Sequence, residues 1–437
     1  MKLQDIPARV HFVGVGGIGM SALAQYLHKC GRIVSGSDRV QSEQTKALAN
    51  MGIRIYTGHN KYNVDGAELV VHTSAVHSDN VELQEAEKRR IPVILREQLL
   101  GIVFNSFSTR IAVCGTHGKT TVTAMIHNML QRCGISHSAF IGGLYCGNNF
   151  YFGTNVAVAE ACEYNRSFLN LKPTITVCTN AEYDHPDCYE SEAAVKQAFK
   201  RFIANTSQSG VAVLPHSLAK LAKGRRCVFY DTALSGEISV DQGKPYFTAS
   251  YGKRLVNVRL SVAGKHNVFN ALAALAVGRE LKLPLELCAM SLNDFKGVER
   301  RWTEKNVGGV KVVFDYAHHP TEIACSVSTA YSIAKGRVLC VFQPHTYSRT
   351  KAFFKQFALC FAQASEVAYL PIYSAREKPI RGVDSQKLTR IAQKRKINAK
   401  YYPNFNAAAK WIKQTAKVGD VVLVLGAGDV VEMAKLL

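Results

Sequence analysis

Short apolar runs alternate with stretches of helical spacing along the whole chain. Residues 9–13, 33–38 and 69–73 read as strands, with helical periodicity over 22–30 and 81–89 and a further short run at 91–96. A second series follows, with strands at 110–113, 156–159 and 174–178 and a helix over 122–130. Between 236 and 262 the pattern turns to short alternating segments broken by Gly and Pro, which predicts an antiparallel flap. A strongly apolar helix spans 271–281, beginning in the Gly264–Asn270 stretch, with Pro284 soon after its end. The last series places strands at 310–314, 338–342, 367–372 and 421–425. Strand and helix alternating in this way predict α/β architecture with parallel sheets. Breaks in the pattern divide the chain into three domains, 1–106, 107–298 and 299–437.

At 437 residues the chain is too long for one ordinary core, so composition only sharpens the picture. Hydrophobic content of 47% against 20% charged is that of a folded globular protein. The net charge of +21 invites a nucleic-acid reading, but the basic residues look scattered rather than gathered in one arm. A positive field also suits an enzyme of polyanionic nucleotides. Twelve cysteines fall at irregular spacing without a Cys-x-x-Cys pair, and Cys114, Cys178 and Cys340 lie in apolar runs. That pattern argues against a zinc or disulfide framework and for a reducing compartment. With no signal-like leader and no span-length apolar segment, the expected location is cytoplasmic.

The candidate chemistry lies where predicted strands end. Gly115-Thr116-His117-Gly118-Lys119-Thr120-Thr121 joins a strand to a helix. Such a glycine loop aims backbone N–H groups and a helix start at phosphate, with Lys119 as counter-charge and Thr120 as a hard oxygen for Mg²⁺. Its spacing is a contracted Gly-x-x-Gly-Lys-Thr, because Val113 stands where the usual pattern has its first glycine. ATP is therefore the expected co-substrate. Gly14, Gly16, Gly17 and Gly19 form a second loop after the first strand, and Asp38 closes the next strand. On residues alone this is the first half of a dinucleotide fold, and NAD(P) remains an alternative. Glu163, following the 156–159 strand, suits a metal bridging ATP and an acceptor. A lone His185 is more often structural than ligating.

Nine motifs, in order, resemble the Mur ligases. They are Gly-Val-Gly-Gly-Ile-Gly-Met-Ser at 14–21, the 115–121 loop, Glu-Ala-Cys-Glu-Tyr at 160–164 and Thr-Asn at 179–180 with Asp-His at 184–185. Lys-His-Asn-Val-Phe-Asn at 265–270, Arg-Arg at 300–301, Asp-Tyr-Ala-His-His-Pro at 315–320, Phe-Gln-Pro-His-Thr-Tyr-Ser-Arg at 342–349 and Gly-Ala-Gly-Asp at 426–429 complete the set. The resemblance implies a Rossmann-like UDP-sugar domain, a central P-loop-type ATPase domain with the flap, and a C-terminal Rossmann-like domain. Within the family it points to the branch that joins L-alanine to UDP-N-acetylmuramate through an acyl phosphate.

Residue by residue, the resemblance implies that Gly14, Gly16, Gly17 and Gly19 face the UDP diphosphate, although Gly17 and Gly19 could serve helix–strand packing alone. Asp38 and Ser74 become uridine contacts, with Ser21 and Arg96 as neighbours. Thr116 and His117 are placed beside the sugar carboxylate. Glu163 and His185 become metal ligands, His185 for a second Mg²⁺. Asn267 and Asn270 contact adenine, positions where asparagine also caps helices. Arg301 lies near the γ-phosphate and Asp315 near the ribose. His318 and Arg349 surround the incoming amino acid, where an arginine can pair bidentately with a carboxylate. Two positions depart from the family pattern: Thr346, where many members carry arginine, and Phe314, where many carry aspartate. A related branch attaches a ready-made tripeptide to the same sugar nucleotide and shares nearly every motif. A basic nucleic-acid ATPase would need aromatic-and-basic clusters, and none is visible in the sequence. Monomer or homodimer, and carbamylation of Lys196 or Lys200, are left open.

Overall fold

The computed structural model describes all residues, 1–437. The first sheet is built from β1 (Arg9–Val13), β2 (Ile33–Asp38), β3 (Arg54–Thr57), β4 (Leu69–His72) and β5 (Val93–Leu95). Its order is β3-β2-β1-β4-β5 with every pairing parallel, the doubly wound arrangement whose strand order reverses beside β1. Four helices connect or follow these strands: α1 (Ile18–Lys29), α2 (Glu43–Asn50), α3 (Val81–Lys88) and α4 (Arg96–Phe104).

The sequence counts the Leu69 strand as the third, and the structure corrects that: α2 and β3 come before it. Both escape the pattern for the same reason. No residue of β3, an edge strand, is buried, and α2 buries only Thr45 and Leu48. Helix α1 also begins at residue 18 rather than 22, because its first turn, Ile18-Gly19-Met20-Ser21, lies inside the glycine motif that reads as a loop.

Seven strands form the second sheet: β6 (Thr109–Cys114), β7 (His137–Tyr145), β8 (Asn148–Tyr151), β9 (Val156–Glu160), β10 (Ile175–Cys178), β11 (Val211–Leu214) and β12 (Cys227–Phe229). Their order is β12-β11-β10-β6-β9-β7-β8, all parallel except the β7–β8 hairpin. That hairpin turns on Cys146 and Gly147, both at positive φ, a two-residue turn that a cysteine disguises in the sequence. Helices α5 (Lys119–Arg132) and α6 (Glu192–Ala204) belong to this region.

The expected flap is a three-stranded antiparallel sheet of β13 (Leu234–Asp241), β14 (Lys244–Tyr251) and β15 (Arg254–Arg259). It is followed by α7 (His266–Glu280) and α8 (Leu285–Asn293). A six-stranded sheet ends the chain, with β16 (Thr303–Val307), β17 (Val310–Asp315), β18 (Val338–Phe342), β19 (Glu366–Tyr369), β20 (Ala399–Tyr401) and β21 (Val421–Leu425) in the order β16-β17-β21-β18-β19-β20. Only the β16 edge runs antiparallel. Its helices are α9 (Pro320–Ile333), α10 (Tyr347–Ala352), α11 (Phe354–Leu359), α12 (Ser385–Lys394) and α13 (Phe405–Thr415). Ile323, Phe357 and Leu388 cover one face and Trp411 and Ile412 the other, so β18 and β21 are buried at every residue and read as unbroken apolar runs.

By backbone proximity the chain forms two compact units. Residues 1–181, 196–232 and 272–291 make the first, and residues 182–195, 233–271 and 292–437 the second. All twelve cysteines are free thiols, with Cys114, Cys178 and Cys340 buried as their apolar settings predict. No helix is long and apolar enough to cross a membrane.

One buried pair in the first unit ties stability to pH. His137 Nδ1 lies 2.7 Å from the Ile135 carbonyl, so it carries the proton, and its Nε2 accepts from His127 Nδ1 at 2.7 Å. Burial pushes both imidazoles down, His127 to about 3 with help from His137. A base whose folded pKa lies below its ordinary value contributes stability that is complete above about 6.5 and is lost as pH falls toward 3. The urea midpoint is therefore expected to drop between pH 7 and pH 5, and His127→Leu should flatten that dependence.

Candidate functional site

In the first unit the decisive geometry lies where β6 becomes α5. Gly115 takes φ +138°, and a Cβ there would come within 1.9 Å of Thr179 Oγ1, so only glycine passes. Gly118 (φ +82°) precedes α5, whose first residue is Lys119. The end of β10 clamps the loop from the side. Thr179 Oγ1 donates to the His117 carbonyl at 2.5 Å, and Asn180 accepts the His117 N–H at 2.8 Å while donating to its carbonyl at 3.1 Å. Tyr230 in turn donates to the Thr179 carbonyl at 3.0 Å. Val113, the residue replacing the usual first glycine, is fully buried in β6.

Lys119 and Glu163 come together. Lys119 Nζ donates to Glu163 Oε2 at 2.8 Å and Oε1 at 3.1 Å, and also reaches the Gly115 and Thr116 carbonyls. Burial alone would lower the lysine pKa, but the negative charge of Glu163 overrides it and holds the ammonium firmly protonated. Thr120 donates to Glu160 at 2.7 Å. Glu160, the last residue of β9, was not singled out from the sequence, although its Glu-Ala-Cys-Glu spacing puts two carboxylates at one strand end. Thr116 and His117 complete the turn, and Thr121 is the third residue of α5.

The glycine loop of the first sheet is similarly braced. Gly14 takes φ +83°, and the Gly16 N–H donates to Asp38 at 2.8 Å. A Cβ on Gly19 would meet Arg96 Nη1 at 3.1 Å, which places the Arg96 head over the first turn of α1. A Cβ on Gly17 would meet nothing closer than 3.6 Å. Gly36 of β2 makes the close approach to this loop, where a Cβ would come within 2.7 Å of Val15. Ser74 follows β4, exposed, at the same sheet end. Ser21 is buried, donating to the Ile18 carbonyl and accepting from Asn149 at 2.8 Å.

In the second unit, the Asn267 side chain donates to the Ala263 carbonyl at 2.7 Å and Asn270 donates to Asn267 at 2.9 Å, so the two form a ladder rather than a cap. Asp315 ends β17 and accepts from Ser326 at 2.6 Å, with burial pushing its pKa up. Arg300 and Arg301 both lie over the Tyr316 ring, at 4.9 and 4.7 Å, and Arg301 also faces Glu322 at 3.8 Å. Phe314 is buried in the apolar face under α13.

Arg349 is 4% exposed and forms a two-bond pair with Asp184, Nε to Oδ1 at 2.8 Å and Nη2 to Oδ2 at 3.1 Å. The bidentate fork expected to meet an amino-acid carboxylate is thus engaged by a protein carboxylate, and Nη1 reaches His345 Nδ1 at 3.1 Å. Burial would raise the Asp184 pKa, but Arg349 and His185 outweigh it and hold the carboxyl far below the usual range. His185 itself stands at φ +54°, Nε2 3.8 Å from Asp184. His318 Nδ1 donates to the Tyr316 carbonyl at 2.9 Å, and its ring packs against that of His345 with centroids 5.9 Å apart. Burial keeps both imidazoles neutral, His318 pushed down to about 3 and His345 to about 4. His345 and Asp184 carry no individual signal in the sequence beyond their motifs. Thr346 caps α10, taking φ +64° and accepting the Arg349 N–H. Lys196 and Lys200 are exposed on α6.

Comparison with known proteins gives a concordant set of matches. Residues 9–108 match the model described as Mur ligase family, catalytic domain; residues 113–278 match the Mur ligase middle domain; and residues 300–428 match the Mur ligase, glutamate ligase domain. A UDP-N-acetylmuramate--L-alanine ligase of Syntrophotalea carbinolica is 41% identical over 444 residues, covering 98% of this chain and 97% of that protein. One from Agathobacter rectalis is 37% identical over 449 residues, with 98% and 97% covered. Among solved structures, the UDP-N-acetylmuramate-alanine ligase MurC of Thermotoga maritima superposes with a TM-score of 0.82 at 28% identity, covering 98% of this chain and 97% of that one. A murein peptide ligase from Psychrobacter arcticus shares the fold, with a TM-score of 0.71 at 21% identity over 98% of each chain.

Proposed function

The chain belongs to the Mur ligase family, and we infer from that membership that it joins L-alanine to the carboxylate of UDP-N-acetylmuramate, with ATP cleaved to ADP and phosphate. The observation that carries the reading is the contracted phosphate loop with Lys119 and Glu163 in contact at its mouth. Phosphoryl transfer to a carboxylate brings two anions together, so charge neutralisation and positioning dominate the barrier. Lys119 and the N–H groups of the loop bind the triphosphate, and Arg301 adds positive charge near the transferred group. The muramate carboxylate attacks the γ-phosphate to give an acyl phosphate. The alanine amine then displaces phosphate, with His318 and Arg349 around the amino acid.

Thr120, Glu160 and Glu163 offer hard oxygens beside the loop, a donor set that fits Mg²⁺. Thr120 and Glu163 would hold the ion, and His185 a second. When bound, Mg²⁺ supplies charge neutralisation at the phosphate oxygens. Asp38, Arg96 and Ser74, grouped at the first sheet's ligand end, support a UDP site there, in a domain closing near residue 106. The ATP-binding domain extends from there to near 298.

The test is phosphate release from Mg·ATP and UDP-N-acetylmuramate, with L-alanine compared against the L-alanine-containing tripeptide. Release with L-alanine is expected. Release only with tripeptide would move the chain to the recycling branch, and release with neither would sink the ligase reading.

A further inference from the structure

The positive charge is not spread evenly: contrary to the scattered reading, the sequence itself holds one strongly basic stretch, and the fold keeps it exposed. Residues 376–417 carry twelve Lys and Arg against two Asp and Glu, whereas residues 1–106 carry twelve against ten. Within that stretch, Lys387, Arg390, Lys394, Arg395, Lys396 and Lys400 follow one another without a carboxylate, and all six are exposed. The apolar side of α12 (Leu388 and Ala392) is spent on the core, so its cations face outward. Lys400 pairs with Glu366 at 3.2 Å, but no carboxylate pairs with Arg390, Lys394, Arg395 or Lys396. Like charges at such helical spacing repel, so the array costs stability that solubility alone does not require.

A shallow depression adjoins these cations, and Arg390 and Lys400 line it. Between α12 and the β20 edge it spans about 450 Å³ and is lined by Gln386, Thr389, Arg390, Gln393, Lys400, Tyr401 and Tyr402. Gln393 spends its Nε2 on the Ala399 carbonyl at 2.8 Å, which leaves its amide oxygen as an acceptor. Cations beside tyrosines and amides match a chain of phosphates carrying stackable bases. A bilayer fits less well. No large apolar side chain is exposed between Leu359 and Val418 to insert into lipid.

We propose that the α12–β20 face docks a single-stranded nucleic acid, with the cations on its phosphates and Tyr401 against a base. The sequence sets nucleic acid aside for want of an aromatic-and-basic cluster; the fold assembles one from helix, turn and edge strand.

The experiment is fluorescence anisotropy of a labelled oligouridylate of about fifteen nucleotides against the full chain across a salt series. Six phosphate contacts predict a slope of log affinity against log salt of about −4. The variant K394E/R395E/K396E should bring the slope to about −2 and weaken binding at least tenfold, with ligase activity retained as proof of folding. Tyr401→Ala should weaken binding several-fold with the slope unchanged. A control reversal of three exposed lysines elsewhere, K29E/K61E/K88E, should leave binding nearly intact. Equal losses in both triple variants would mean that only net charge is sensed and would overturn the proposal. So would capture by phosphatidylglycerol vesicles without oligonucleotide binding.

Discussion

Lys119→Ala is expected to lower turnover by about 10³-fold or more, the scale of removing a charge that is aimed at developing phosphate charge. UDP-sugar affinity, read by calorimetry, should persist, because the Gly14–Gly19 loop, Asp38 and Arg96 make no use of the lysine. The substitution also removes the Lys119 ammonium from Glu163, 2% exposed, so some loss of stability accompanies the kinetic effect. Loss of turnover together with UDP-sugar binding would show a collapsed fold or a wrong assignment of the loops. Retained turnover would remove the phosphate loop from the mechanism.

Asp184→Ala is expected to give the largest stability loss, about 3–5 kcal/mol for an arginine left buried without its counter-charge. Arg349 cannot shed its proton, and its exposure of 4% gives water little access. Urea unfolding measures the change, and the D184A/R349A double variant should recover part of it, since a neutral hole costs less than an orphaned charge. Activity should fall in both variants, because the pair fixes the Arg349 head and, through Nη1, the His345 ring. An unchanged urea midpoint in D184A would show that the pair contributes nothing to the fold.

Much of the architecture was legible because parallel strands covered on both sides are apolar throughout. β18 and β21 lie at the residues their apolar runs predicted, and β1 and β2, though mixed in composition, also match their expected bounds. The same logic located the ligand-facing loops, which follow the strands they depend on. What escaped lacked that signal. β3 buries nothing, α2 almost nothing, and the β7–β8 turn rests on a cysteine at positive φ. Pairings across long separations were also invisible. Asp184 and Arg349 lie 165 residues apart, and no local rule links them. The two departures at Phe314 and Thr346 became intelligible only in three dimensions, one as a core side chain and the other as the cap of the helix that carries Arg349. Glu160 could have been found, since a carboxylate ending a buried strand beside a phosphate loop has few other uses.

The contact between Lys119 and Glu163 bears on how the protein tells its ligand from any other anion. At rest the mouth of the loop is electrically closed, its one strong cation already satisfied within 2.8 Å. A small anion drawn in by the overall +21 therefore meets a neutral pair and not a waiting charge. To enter, a guest must offer the lysine a better partner and the carboxylate a replacement cation together. On the proposed function, a nucleotide arriving with its metal would bring both, whereas inorganic phosphate would bring only one. On that reading, the pair would make entry at this one loop depend on replacing both contacts at once.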